Sequence, residues 1–213
     1  MNWQNLQRLL DGRTIFDASM LLAGPDPPQE VRRQLSRWTA SARLVQLRRG
    51  LYVLAPHFAR TPPSVLAIAS RLRKPSYISL QSALSYHGAT PESTPAVTTS
   101  VTTGRPGRFE TPLGDFLYRH VSRALFWGYR EVALAEGERA YVALPEKALL
   151  DLFYLTPGII GSSFVRELRL APDQVDSQRL RQFAKRADRP KLIRAAALTA
   201  LVLEEESRGE KVL

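Results

Sequence analysis

Residues 26 to 54, DPPQEVRRQLSRWTASARLVQLRRGLYVL, constrain the fold more than any other stretch. Pro27 and Pro28 suit the first position of a helix, whose N–H would have no partner anyway, and Asp26 stands where a carboxylate can accept from the first-turn N–H groups. Val31, Leu35, Trp38 and Ala42 recur at alternating helical spacings, so they fall along one stripe of a 3.6-residue period that is predicted to meet a core. At about 100° per residue the opposite face carries Gln29, Arg33, Ser36, Arg37 and Ala40, with Arg32 and Arg43 on one flank and Glu30 on the other. No acid lies on the face itself. Leu44 to Leu47 then alternate, the chain turns at Arg48-Arg49-Gly50, and Leu51 to Leu54 return. Gly50 can take the positive φ that such a turn needs.

A helix followed at once by a tight ribbon is the order of a winged helix-turn-helix. The residues before it supply the remaining parts. Trp3, Leu6, Leu9 and Leu10 share one face of a short opening helix ended near Gly12, Thr14 to Phe16 suits a short strand, and Asp17 to Ala23 suits a helix stopped by Gly24-Pro25. In such a module the helix fits the major groove and the arginine-tipped hairpin lies beside it. Gln29, Arg32, Arg33, Ser36, Arg37, Arg48 and Arg49 are then the expected DNA-binding residues. The plainer alternative is a solvated basic helix next to an ordinary hairpin.

Charge agrees with a polyanionic partner. The 213 residues hold 30 Lys plus Arg against 20 Asp plus Glu, a net charge of +10, and such a field favours nucleic acid or an anionic surface. The excess is uneven, with nine Arg against four acids in residues 1 to 60. Arginine dominates lysine, and its planar fork suits phosphates and guanine edges. The absence of cysteine removes disulfides, thiolate zinc sites and a cysteine nucleophile. MNWQNLQRLLDGR lacks the continuous apolar core of a signal peptide, and no apolar run approaches the roughly 20 residues of a membrane span. A cytoplasmic location, no membrane partner, no cofactor and no metal are expected.

The rest of the chain predicts a second, larger domain. APHFARTPP, residues 55 to 63, has three prolines and little apolar pattern, which places a boundary between a domain of residues 1–60 and one of 61–213. Ser64 to Leu72 suits a helix that Pro75 breaks, Tyr77-Ile78 a short extended piece, and Ser79 or Ser82 the cap of a helix running to His87 and closed by Gly88. His87 fits either a helix C-terminus, favoured by the dipole, or a catalytic role. From Ala96 the pattern turns to period two, with AVTTSVTT, a Gly104-Arg105-Pro106-Gly107 turn, RFET and GDFLYRHV predicting an antiparallel sheet. Arg105 and Arg108 there suit phosphate contact or a plain hairpin tip. Further extended pieces are expected at 125–133 and 140–143. Pro145 opens a helix, PEKALLDLFYL, with Ala148, Leu149, Leu152 and Phe153 inward and Glu146 in the first turn. Helices follow over 164–170, 178–187 and 190–206, and EEESRGEKVL is expected to fray. The fold class is therefore α+β: an N-terminal winged helix-turn-helix, then a mixed domain with an antiparallel sheet and C-terminal helices.

Three stretches taken together, the segment ending RRGLYVL, the block YISLQSALSYHG and the helix LPEKALLDLFYL, in that order and near these spacings, resemble AbiEi-type antitoxins of type IV toxin-antitoxin systems. The resemblance covers roughly residues 14 to 155. It implies a winged domain that binds inverted repeats in double-stranded DNA at its own promoter and represses it. It also implies a C-terminal domain that counteracts a nucleotidyltransferase-like toxin without needing a stable complex. Only Arg32, Arg33, Arg37, Arg48 and Arg49 carry over as site residues.

A different class of function is a metal-dependent nuclease delivered to DNA by the winged domain. Its candidate groups are His87, Asp115, Glu131 and Glu146. An Asp…Glu-x-Lys arrangement needs carboxylates to hold the metal and a nearby lysine, and Ala133 stands where that lysine belongs. Ser79, Ser82, Ser85 and His87 crowd one segment, but adjacency along a helix does not build a triad. Neither a P-loop nor a G-x-G-x-x-G occurs. No catalytic residue is therefore assigned.

Overall fold

The computed structural model describes residues 1–91 and 96–209, and the chain is of mixed α+β class with helices near both ends. It divides into two compact units, the first made of Met1–Arg73, Glu110–Gly114 and Val132–Ala140, the second of Lys74–Phe109, Asp115–Glu131 and Tyr141–Leu213. No helix among the described residues is long and apolar enough to cross a membrane.

In the first unit the order is α1 (Trp3–Leu10), β1 (Ile15–Asp17), α2 (Ala18–Leu22), α3 (Pro28–Ala40), β2 (Leu44–Arg48), β3 (Leu51–Leu54) and α4 (Val65–Leu72). The three strands form an antiparallel sheet in the order β1-β3-β2, with Val53 facing Ile15 on one side and Val45 on the other. Leu6 and Leu10 from α1, Leu21 from α2, Val31, Leu35 and Trp38 from α3, and Leu44 and Leu54 from the hairpin enclose one core. That is the stripe expected of α3, except at its end. The helix stops at Ala40, and Ala42 is exposed at φ 52 in the turn that redirects the chain into β2. Leu9 also departs from expectation, at 61% exposed, because its neighbours Leu6 and Leu10 already fill the inward face of so short a helix. Asp26 does not cap α3. Pro27 occupies the N-cap and no side chain caps the helix there, while Asp26 lies 3.3 Å from the Met1 amine. With a proline leading the first turn, one fewer N–H needs a partner.

The chain continues through β4 (Ser76–Ile78), α5 (Leu80–Tyr86), β5 (Val97–Thr102), β6 (Gly107–Thr111), β7 (Gly114–His120), β8 (Tyr129–Ala133) and β9 (Arg139–Ala143), which belong to the second unit except where Glu110–Gly114 and Val132–Ala140 are part of the first. Four helices follow: α6 (Pro145–Leu155), α7 (Ser162–Glu167), α8 (Ser177–Ala187) and α9 (Pro190–Gly209). The six strands run in the order β6-β7-β5-β4-β9-β8. The sheet is mixed, not antiparallel as the alternation predicts, since β5 pairs parallel with β7 and β4 parallel with β9. The reason is topological: β6 reverses the chain but pairs outside β7, so β5 and β7 meet running the same way. Alternation reports which residues face a core and is silent on strand direction. Helix α9 packs on α6, α7 and α8, burying Leu192, Ala195, Ala196, Ala200, Val202 and Leu203 and leaving Ile193 and Leu201 exposed. Of the closing segment expected to fray, residues 204–209 continue α9 and 210–213 lie outside the described residues.

Candidate nucleic-acid interface

Burial of one face of α3 determines what its other face presents. With Val31, Leu35 and Trp38 held in the core, Gln29, Arg32, Arg33, Ser36, Arg37 and Ala40 are all exposed. A helix rises about 1.5 Å per residue, so Arg33 and Arg37 stand roughly 6 Å apart along the axis on one side. Arg43, just past the helix, is placed by Trp3: its guanidinium lies 5.5 Å from that ring, which packs edge-on to Trp38. This cation–π contact turns Arg43 toward the protein.

The hairpin presents its two arginines differently. Gly50 takes φ 80, as the turn requires, and Arg49 beside it is exposed. Arg48 is turned back onto its own unit. Its Nε donates to the Leu72 carbonyl at 3.0 Å, one Nη to the Arg49 carbonyl at 3.2 Å, and the other Nη to the Arg71 carbonyl at 3.4 Å. Asp17 lies 3.9 Å from the same guanidinium. Three carbonyls thus occupy much of the donor fork that a phosphate would need. The pairing of β2 with β3 shifts register between Gln46 and Arg48, and a bulge of that kind re-aims the side chain that follows it.

The groups proposed for catalysis do not converge. Asp115 lies on β7, where it pairs with Arg108, and Glu131 lies on β8, four strand steps away in the sheet order. At about 4.8 Å per step that is roughly 19 Å, too far for two carboxylates to share an ion. His87, at the C-terminus of α5, has Nε2 2.8 Å from the Ala143 carbonyl, so that nitrogen carries the hydrogen in the neutral ring. Burial lowers its pKa below the usual 6.5, with Arg130 acting the same way and the Ala143 bond and Glu146 opposing. Glu146 is buried and accepts from the Asp176 N–H at 2.9 Å, with Arg179 3.6 Å away. It ties α6 to the start of α8. Arg105 lies in the turn before β6, and Arg108 is engaged with Asp115.

One polar cluster escapes the sequence reading. Lys147 and Asp151, each with a side chain 1% exposed, form an ion pair inside the second unit. Asp151 also accepts from Tyr77 Oη at 2.9 Å and from Ser79 Oγ at 2.8 Å, and Lys147 donates to Tyr77 Oη at 2.8 Å. Ser79 therefore does not cap α5 with its side chain; its hydroxyl is spent on Asp151. Burial pushes the Asp151 pKa up and the Lys147 pKa down, while each partner's charge opposes the shift of the other. Burial, then the Asp151 charge, also raises the Tyr77 pKa. Gly128 packs against the lysine stem, where an added Cβ would come within 2.9 Å of Lys147 Cγ. The available signal is an i,i+4 Lys–Asp pair on a helix that is otherwise nearly all apolar. The cluster is enclosed and stapled to itself, which is the behaviour of a core network.

No protein-family model matches the chain, and no curated protein is similar enough to count as a relative.

Proposed function

We propose that this chain is a cytoplasmic DNA-binding antitoxin of a type IV toxin-antitoxin system. It represses its own operon by binding promoter inverted repeats, and it counteracts a nucleotidyltransferase-like toxin through the chain that follows residue 60. The DNA-binding half rests on one observation: the face of α3 opposite its core stripe exposes Gln29, Arg32, Arg33, Ser36 and Arg37 with no acid among them. The order helix, helix, two-stranded ribbon, and a third strand pairing with β3, supports reading this unit as a winged helix-turn-helix. In that reading Arg33 and Arg37 read base edges, Arg32 and Arg49 hold phosphate, and Arg48 braces the hairpin. The antitoxin half rests on the resemblance of RRGLYVL, YISLQSALSYHG and LPEKALLDLFYL to the AbiEi type. The chain is then not an enzyme and requires no cofactor.

The test is a mobility shift on the protein's own promoter, beside growth rescue on co-expression with a co-encoded nucleotidyltransferase. The variant Arg32→Ala, Arg33→Ala, Arg37→Ala, Arg49→Ala is expected to lose the promoter and still rescue growth. A folded quadruple variant that shifts the promoter as well as wild type overturns the DNA-binding assignment. Failure of the full-length wild type to rescue overturns the antitoxin assignment and leaves the regulator.

A further inference from the structure

Among the described residues, the large aliphatic side chains that the second unit leaves exposed gather on one helix. Ile193 and Leu201 lie on α9, 40% and 53% exposed. Ile159, 92% exposed, stands three residues past Thr156, whose carbonyl accepts from Lys191 in the first turn of that helix. Ala197 is exposed between Ile193 and Leu201. At about 100° per residue, steps of four residues drift by only about 40°, so Ile193, Ala197 and Leu201 form a stripe down the outer side of α9. Its other sides pack on α6, α7 and α8. Charge is divided between the two ends, with Arg189 and Arg194 exposed at the start and Glu204 and Glu205 exposed near the finish. The two glutamates meet Arg181 and Arg166 in solvent-exposed pairs, whereas neither Arg189 nor Arg194 pairs with an acid among the described residues.

We propose that this stripe is the contact between two copies of this chain, paired antiparallel about a two-fold axis at Ala197. Counted outward from Ala197, the surface is a palindrome in size and an inversion in charge. Four residues away stand Ile193 on one side and Leu201 on the other, and eight residues away stand Arg189 and Glu205. In a two-fold contact, whatever residue i of one copy meets on the other meets i in return. Ile193 therefore packs on Leu201 of the second copy, Arg189 faces its Glu205, and both contacts occur twice. The two Ala197 side chains meet on the axis, where a small residue lets the helices approach toward the short end of the roughly 8–10 Å typical of packed pairs. Parallel pairing in register would set arginine beside arginine and glutamate beside glutamate, so the charges select the antiparallel arrangement. A partner of unrelated sequence requires no such symmetry. A single helix pair is a small contact beside the roughly 1,200 Å² at which stable complexes begin, so the dimer dissociates on dilution.

Sedimentation equilibrium of the full-length protein over a series of concentrations, at constant ionic strength, tests this. A monomer–dimer equilibrium is expected. Ala197→Arg, which sets two guanidinium groups on the axis and suits an exposed helical position, should weaken association at least tenfold. Leu9→Arg, at a 61% exposed position of the first unit, should leave it unchanged. Arg189→Glu should weaken association, and Arg189→Glu combined with Glu205→Arg should recover it, since the swapped charges again face each other. The chain has no cysteine, so Ala197→Cys gives a second reading that needs no disruptive change: mild oxidation should yield a disulfide-linked dimer, and Leu9→Cys should not. A chain that stays monomeric at every concentration overturns the proposal, as does an equal loss in Leu9→Arg or a charge swap that fails to recover association. A monomeric chain whose Ala197→Arg variant no longer rescues growth also overturns it and assigns the stripe to the toxin. The sedimentation measurement contains neither DNA nor toxin, so its result is independent of the proposed function.

Discussion

At the scale of single residues, the costs of substitution are set by what each side chain leaves behind. Removing one member of a buried ion pair strands the other, at about 3–5 kcal/mol, whereas replacing both by apolar groups of similar volume is close to neutral. Lys147→Met or Asp151→Asn should therefore lower the urea midpoint sharply. The pair Lys147→Met with Asp151→Leu should recover much of the loss, although Tyr77 and Ser79 then lack an acceptor. A double variant no better than the singles would show that the hydroxyl bonds outweigh the charge pair. His87 gives a pH dependence of definite sign. Its folded pKa lies below the ordinary 6.5, chiefly through burial, so the unfolded chain takes up the proton first. The stability it supplies is complete above about pH 6.5 and declines as pH falls from there toward the folded value. The urea midpoint should drop between about pH 7.5 and about pH 5.5, and less steeply in His87→Asn. An identical slope in the variant would place the effect on other groups.

At the scale of elements, α3 would read DNA under the proposed function, whereas Arg48 braces the β2–β3 hairpin. Replacing Arg33 or Arg37 by Ala should cost about 1–3 kcal/mol of promoter binding and relax base choice, with no change in the melting temperature because both side chains are exposed. Arg48→Ala should behave in the opposite way. Its guanidinium holds the hairpin to the carbonyls of Arg71 and Leu72 at the end of α4, and removing those bonds should take away about 1 kcal/mol of stability, the side chain being 38% exposed. Melting curves and promoter shifts on the same three variants check both statements together. A stable Arg48→Ala protein with weakened DNA binding would return Arg48 to the contact surface.

At the scale of the whole molecule, the net charge of +10 does not act as one field, because part of the basic charge of the later helices is paired. Arg166 lies 2.6 Å from Glu205, Arg181 3.2 Å from Glu204, and Arg179 3.4 Å from Asp176. Exposed pairs of this kind add little stability, but they do cancel charge toward a polyanion. Among the described residues no such pair engages Arg32 or Arg49. Promoter affinity should accordingly fall with salt, and log K against log[salt] should flatten by about 0.9 for each phosphate that the protein no longer neutralises. Arg49→Ala should flatten the slope by about that amount, and Arg181→Ala should leave it where it was. Equal flattening in the two would mean that binding follows total charge.

What the sequence by itself determined lies in interactions between near neighbours. The core stripe Val31, Leu35 and Trp38, the Gly50 turn, the stop of α5 at Gly88 and the start of α6 at Pro145 were all legible, because periodicity, φ freedom and a missing N–H act within a turn or two of chain. The exposure of Gln29, Arg32, Arg33, Ser36 and Arg37 followed from the same periodicity. Only the tertiary structure decided the rest. Asp151 meets Tyr77 and Ser79 across more than 70 residues, Arg48 reaches carbonyls at the far end of α4, and β5 lies parallel to β7 because β6 pairs outside them. Each of these depends on which segments pack together. That choice is made by burial summed over a whole unit, and no local pattern records it.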